Sequence, residues 1–469
     1  MKKILAISFA CLLLLPAVAQ KKEQKKDRYV ALTPENWDFK PGSAEFLDYK
    51  GRKAMKINSG AIVLKNIVFK DGTIEYDVEP VRGHLVCFRR KDDQEQESVY
   101  LRLQRVGNKL ANDGIQYAPY VSSVLMWDMY PQYQGPVSYR ASDWNHVKIV
   151  VSGKQMRWYM NNETVPALAI PALEGNTTEG SIGFTETSYI SNLEIKPNVV
   201  DGLSPDAGVD LTRHDPTYIR KWAYASPALL EPNVEPSSAV QPDPVAFTDS
   251  IMAERLGLVN LTRKLGANSK RKVVWLKTII KTDKAVTTNL RMGMSDDAWV
   301  FLNNQLIAIE KNIYFQPAMR KYPNGRISID NARVPLNLVQ GENELMVAVT
   351  NDFYGWGMIA QVESTNGITE LGEAASITKK ADELARIDVE PYVGVYNNST
   401  IPIKLTFTRK DKVLWVQIAA QEPAPLVTVG LHKFLFSRPD QNPFTLEFNL
   451  LEKKMALKQG DTVYDFVKE

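Results

Sequence analysis

Thr73-Ile74-Glu75-Tyr76-Asp77-Val78 alternates apolar and polar side chains over its whole length. Side chains on a strand point to opposite faces in turn, so Ile74, Tyr76 and Val78 share an inward face while Thr73, Glu75 and Asp77 point out. The same signature recurs along the chain. Val99 to Leu103 and Val147 to Val151 read as strands, with Val99, Leu101 and Leu103 inward and Tyr100 and Arg102 outward. Met156, Trp158 and Met160 share one face of a further strand, and Gly180 to Phe184 and Ile190 to Ile195 complete the set. From Arg28 onward, short apolar runs are cut by Gly, Pro, Asn and Asp, with hardly a helical period. Many short strands at regular spacing predict an all-β chain, built as consecutive β-sandwich or β-barrel units.

Met1 to Ala19 reads as a signal peptide: Lys2-Lys3, an apolar run from Ile4 to Pro16, then the small pair Ala17 and Ala19. The run is too short for a membrane span, and no later segment is long and apolar enough for one. The expected destination is therefore the periplasm or the outside of the cell. Loss of the leader removes Cys11 and leaves Cys87 as the single thiol, so no internal disulfide is expected. Stability must then come from buried apolar area, which needs sizeable units. At about 100–200 residues per domain, roughly three are expected. Lys and Arg number 57 against 54 Asp and Glu, and this near balance points away from nucleic acid as a partner.

Phe69-x-Asp71-Gly72-Thr73-Ile74-Glu75-Tyr76, Trp144-Asn145-x-Val147-Lys148, Trp158-Tyr159-x-Asn161-Asn162 and Gly180-x-Ile182-Gly183-Phe184 resemble the concanavalin A-like/LamG-like jelly roll. More narrowly they resemble its secreted branch related to 3-keto-disaccharide hydrolase domains. That resemblance covers 28–197 and implies a sandwich. The chain departs from the hydrolase branch at Arg82-Gly83-His84 and Ser98-Val99-Tyr100. A linker follows over 198–214. Ser295-Asp296-Asp297 with the strand to Leu302, Asn303-Asn304, Leu338-x-x-Gly341-Glu342-Asn343-x-Leu345 and Gly355-Trp356-Gly357 resemble a galactose-binding-like jelly roll over 215–365. A second linker over 366–388 includes Thr378 to Arg386, which fits two helical turns. Tyr392-Val393-Gly394-Val395-Tyr396, Leu414-Trp415, Phe434-x-Phe436 and Met455-x-Leu457-x-Gln459-Gly460 resemble the small β-barrel appended to β-lactamase-like hydrolases, over 389–469. There is no Gly-x-Ser-x-Gly, and the two Ser-x-x-Lys matches, Ser269 to Lys272 and Ser376 to Lys379, have no Lys-Thr-Gly partner, so the resemblance implies an accessory module.

The polar and aromatic residues of the first unit point to carbohydrate. Tyr100, Arg102, Gln116, Tyr117, Trp127 and Tyr133 combine flat apolar ring faces, suited to the C–H side of a pyranose, with fixed donors and acceptors for hydroxyls. Packing inside the sandwich is the alternative for the rings. Asp296, Tyr354 and Trp356 form a second possible site, against a turn flanked by Gly355 and Gly357. Asp93, Glu95 and Glu97 share one face if extended, and Glu95 and Glu97 are the candidates for glycosidase chemistry, which uses paired carboxylates. A solvated hairpin loop is the alternative. The scattered His84, His146, His214 and His432 give no metal spacing, and Asp201, Asp206 and Asp210 are the only calcium candidates, without EF-hand order. No cofactor is expected. The leading expectation is an exported, non-catalytic protein that binds oligo- or polysaccharide. A glycoside hydrolase acting from the first unit, and a structural or protein-binding envelope module, are the alternatives.

Overall fold

The computed structural model describes residues 29–469 except 106–110, 163, 232–233, 238–240, 268–269, 439–440 and 461. The expected leader lies outside the described residues. The chain is nearly all β. Its described α-helices are Leu261–Leu265 and Ala375–Ala385.

The alternating run at Thr73 sits at the centre of the first sandwich. The Gly72–Pro80 strand is the middle of a seven-stranded antiparallel back sheet, flanked by Asn145–Ser152 and Ser188–Pro197. A second seven-stranded sheet, the front sheet, runs through Ser181–Thr185, His84–Arg90, Glu97–Leu101 and Ile115–Tyr117 to an edge at Gln134–Gly135. Ile74, Tyr76 and Val78 of the back sheet meet Val86, Phe88 and Val99 of the front sheet in one core with Trp158 and Phe184. Each fully buried apolar side chain of this kind stabilises by about 1.5–3 kcal/mol. Two expectations shift slightly. The strand expected to reach Leu103 stops at Leu101, because the Arg102 guanidinium turns back to donate to the Asp113 carbonyl and the chain enters a 3₁₀ turn at Leu103–Arg105.

The second sandwich pairs an eight-stranded sheet with a four-stranded one. Its longest ladder joins Lys272–Thr282 to Gly341–Asn351 in unbroken register. One face of the larger sheet packs Val274, Leu276, Val300 and Val347 against Met292, Met358 and Ala360 of the smaller sheet. Its other face carries Trp275, Trp299 and Phe301, covered by Phe247, Leu230 and Ala374. The helix expected from Thr378 begins one turn earlier, at Ala375, where Glu373 accepts from the Ser376 N–H. The last unit is a nine-stranded antiparallel sheet, its first strand Gly394–Asn397 paired with its last Thr462–Lys468, around Tyr392, Tyr396, Phe407, Phe434 and Phe448.

The first two sandwiches share a packed junction. Leu258 and Ile327, from the second, belong to the first sandwich's core. Ile327 also donates its N–H to the Asp128 carbonyl at 2.9 Å.

Candidate functional site

The junction brings the two candidate sites together. On the outer surface of the front sheet, Leu85, Tyr100, Gln116 and Gln134 lie directly opposite one another across four strands. Tyr100 donates its hydroxyl to Gln116 Oε1 at 2.9 Å, and Arg102 donates to the Tyr100 hydroxyl at 2.7 Å and to the same Gln116 oxygen. Gln116 Nε2 in turn donates to the Trp127 carbonyl at 2.6 Å. Tyr100 and Arg102 are half-buried, and Gln116 is fully enclosed. The expected cluster of ring, guanidinium and amide therefore exists as a closed hydrogen-bonded unit. It fixes the backbone under Trp127.

Trp127 is the hinge between this unit and the second sandwich. Its ring is 7% exposed, and it meets Tyr314 at 5.0 Å, Tyr354 at 5.8 Å and Phe353 at 6.2 Å between ring centres, all edge to face. The Arg326 guanidinium lies 5.1 Å above it. Tyr314 stacks on Phe353, and Phe315 and Tyr354 each approach Phe353 edge-on at 4.4 Å. Edge-to-face pairs of this kind each contribute about 0.5–1.5 kcal/mol beyond their buried area. Two rings of this cluster face solvent: Phe315 is 65% exposed and Tyr354 43%. Tyr354 also holds φ at +57°, a conformation that a bulky residue keeps only when its surroundings impose it.

Those surroundings are polar and buried. Asp296 accepts from the N–H groups of Asp352 and Phe353 at 2.6 and 2.8 Å, which sets the turn that carries the rings. Asn351 donates to the carbonyls of Tyr354 and Gly355. From the first sandwich, Asp128 accepts from the Gly355 N–H at 3.1 and 3.2 Å and from the Ser295 hydroxyl at 3.3 Å. Burial is the main influence on both carboxyls. It pushes Asp128 up to about 7, against partial relief from these donors and from Arg326, and holds Asp296 well above the usual range. The Tyr314 loop is pinned by Asn312 and Asn331. Asn312 donates to the Met294 carbonyl and accepts from the Lys321 N–H, and Asn331 accepts from Ser328 N–H and donates to the Tyr322 carbonyl.

Several expected site residues belong elsewhere. Tyr117 and Tyr133 lie inside the first sandwich and present no ring face to a ligand. Tyr117 donates to Glu97 Oε2 at 2.6 Å and accepts from the Glu174 N–H, while Tyr133 donates to Glu174 Oε1. The Tyr117 ring points inward because it stands opposite Val99, on the core side of the ladder, and Tyr133, in the 3₁₀ turn Pro131–Tyr133, packs edge-on against it. Trp356 is 1% exposed and fills the second core, with its indole N–H on the Val349 carbonyl. Asp296 is structural in the sense just given, and Tyr354 is the exposed member of that trio.

The acidic triplet does not form one face. Asp93 and Glu95 lie in bends before the strand, and Asp93 pairs with Arg90. Glu95 is tied to the Ser122 N–H and the Asn176 amide. Glu97 starts the strand and is completely buried, its carboxyl pushed up to about 7 by burial. Asp201 pairs with Lys148, and Asp210 accepts from Thr212 and the Leu256 N–H. Among the described residues no three His, Cys, Asp or Glu side chains converge as a metal site. No described helix is long and apolar enough to cross a membrane.

Sequence reasoning missed Asp128, Asn312, Asn331, Arg326, Tyr314 and Phe353. The local signal was faint: Asp128 stands alone among Met126, Trp127, Met129 and Tyr130, a charged residue in an apolar run. Only the long-range meeting of the two sandwiches gives it a partner.

No protein-family model matches the chain, and no curated protein matches it. Part of the chain is similar to several solved structures. Carbohydrate-binding module CBM66 from Bacillus subtilis aligns at 15% identity over 33% of this chain and 91% of that one, with a TM-score of 0.25. A protein of unknown function with a galectin-like fold, also from Bacillus subtilis, aligns at 12% identity over 34% of this chain and 89% of that one, TM-score 0.27. A putative glycosyl hydrolase from Parabacteroides distasonis aligns at 13% identity over 35% of this chain and 94% of that one, TM-score 0.26.

Proposed function

We propose that this chain is an exported glycan-binding protein that holds saccharides on the aromatic platform over Trp127 and does not cleave them. One observation carries the reading. Phe315 and Tyr354 stand open to solvent on a base of Phe353, Tyr314 and Trp127 that is hydrogen-bonded rigid from both sandwiches. Rings pre-set in this way lose little entropy on stacking against the apolar face of a sugar. The Tyr100, Arg102 and Gln116 unit holds the backbone under Trp127, and the exposed Arg320 at the Tyr314 edge supplies a polar group for hydroxyls. The absence of cleavage is supported by Glu97, which is sealed in the core, and by Glu95, whose two oxygens are committed to Ser122 and Asn176.

On this reading residues 28–197 are the LamG-like unit, 215–365 the galactose-binding-like unit and 389–469 an accessory barrel. The ligand site belongs to the first two jointly. A glycan array with the full chain, followed by titration of the hits, tests it. Tyr354→Ala and Phe315→Ala are each expected to weaken binding about tenfold, the equivalent of about 1.4 kcal/mol for a stacking ring. Wild-type affinity in both variants, or no retained glycan at all, overturns the proposal.

A further inference from the structure

We propose that the saccharide taken on this platform is acidic, carrying carboxylate or sulfate groups. The inference rests on the glycan-binding reading above and names its ligand class.

The ground is an excess of guanidinium groups at the junction. Arg326 is 4% exposed, donates through Nη1 to the Pro323 carbonyl at 3.3 Å, and has no hydrogen-bond partner for its Nε among the described residues. Its nearest carboxylate oxygen is Asp113 Oδ2 at 3.7 Å. Arg105 draws on the other oxygen of the same Asp113, at 3.2 Å, and Arg102 donates to the Asp113 backbone carbonyl. Two guanidiniums thus share one carboxylate, and a third is held by the neutral backbone carbonyl of the same residue. Arg102 lies close enough to Arg326 to lower its proton affinity further than burial alone does. A fourth, Arg320, lies 5.7 Å from the Tyr314 ring at the solvent edge.

The other carboxyls facing this cluster are already spoken for. Asp128 and Asp296 turn their oxygens to N–H and hydroxyl donors, and burial favours their neutral forms. Asp352 pairs with Arg271 at 3.2 Å. A buried cation short of partners is costly, and a planar guanidinium fork is matched by the paired oxygens of a carboxylate or sulfate. Arg320 is exposed beside the Tyr314 ring, so a ligand on the rings meets it directly, while the half-exposed Arg102 and Arg105 and the enclosed Arg326 add positive charge behind it.

The test is titration calorimetry of the full chain against polygalacturonate and alginate, against dextran sulfate, and against neutral dextran and xylan, at low and high salt. Acidic polymers are expected to bind about tenfold tighter than neutral ones, with the preference shrinking as salt screens the charges. Whichever acidic arm dominates identifies carboxylate or sulfate as the preferred group. Arg102→Gln and Arg320→Gln should each narrow the acidic-to-neutral ratio several-fold. Arg320 is at the surface, so its variant keeps the test valid should Arg102→Gln disturb the fold. Tyr354→Ala should weaken both arms and leave the ratio in place. Equal affinity for neutral and acidic polymers, or an arginine variant that weakens both arms alike, overturns the inference and leaves glycan binding standing. No binding in any arm overturns both.

Discussion

The two outer faces of the first sandwich carry similar side chains in opposite states of compensation. On the back sheet, Asp77 accepts from Arg52 at 2.5 Å, His146 at 2.9 Å and Asn192 at 2.7 Å. Glu79 takes Lys50 and the Tyr49 hydroxyl, and Lys196 bridges Glu75 and Glu194. The aromatic rings there are used up too: Tyr49 stacks on Tyr189 at 3.9 Å, and Arg52 covers Trp144. This face satisfies itself and needs nothing from outside. At the junction beside the front sheet, Arg105 and Arg326 draw on the one carboxylate of Asp113, Asp128 and Asp296 are held by neutral donors, and the second sandwich supplies the rings. Two sheets of one fold thus separate into a surface that satisfies itself and one that, on the reading proposed above, is left open to a ligand. What distinguishes them is where each charge finds its partner.

The contrast depends on the second sandwich staying seated, and Gly355 is where that is most exposed to attack. A Cβ there would lie 2.2 Å from Met129 Cγ and 2.8 Å from Asp128 Oδ1. Gly355→Val is therefore expected to destabilise the chain by about 3 kcal/mol, at the upper end of usual overpacking costs. Amide exchange at Gln116 and Trp127 should rise with it, turning the front sheet into a second exposed face. A variant with wild-type melting behaviour and unchanged exchange would show that the junction does not hold the sheet.

Asp128 gives the next largest effect, and its sign is opposite to that of the back-sheet aspartate. Its folded value of about 7 lies above that of an unfolded aspartate, so the folded state holds a proton that the unfolded state releases. The contribution of Asp128 to stability is then greatest below about pH 4, falls as pH rises towards about 7, and is flat beyond. Asp128→Asn keeps an acceptor for the Gly355 N–H and removes the ionisation. It should remove this part of the decline, leaving what Glu97 and Asp296 contribute, and be more stable than wild type above pH 7 by roughly 2 kcal/mol, from about 1.36 kcal/mol for each pH unit of displacement with allowance for relaxation. Denaturant melts of both proteins across pH 4–8 check it, and parallel curves would refute it.

The fold was legible in the sequence wherever the apolar side chains of a strand share the face that meets a core. Thr73 to Val78 and Met156 to Met160 lie with the expected faces inward, and the ladder from Asp297 to Leu302 runs between the expected bounds. The site was legible only as two halves. Tyr100, Arg102, Gln116 and Trp127 on one side, and Asp296 and Tyr354 on the other, do meet, yet nothing local says that Trp127 faces Tyr354 across 227 residues of chain. The inward Tyr117 and Tyr133 show the other limit. A tyrosine that looks like a sugar platform in sequence is equally suited to a core, provided its hydroxyl finds a buried partner such as Glu97 or Glu174. The orienting residues escaped notice because Asn312, Asn331 and Asp128 act through backbone groups, and backbone partners leave no mark on composition.

The smallest predicted effect completes the contrast on the back sheet. Burial alone would raise the Asp77 carboxyl, but hydrogen bonds from His146 and Asn192 and the charge of Arg52 outweigh it and hold the group below its ordinary value. A carboxylate with a lowered folded value contributes stability that is complete above the ordinary aspartate range of about 4 and is lost as pH falls through the folded value. Asp77→Asn should therefore cost about 1 kcal/mol at neutral pH, the scale of a part-exposed ion pair with a charge-assisted hydrogen bond. The difference from wild type should vanish in strong acid, the reverse of the Asp128 pattern. Glycan affinity should not move, since the residue lies on the opposite sheet. A loss of binding in Asp77→Asn would mean that the back sheet takes part in recognition after all, and that charge compensation is not what separates the two surfaces.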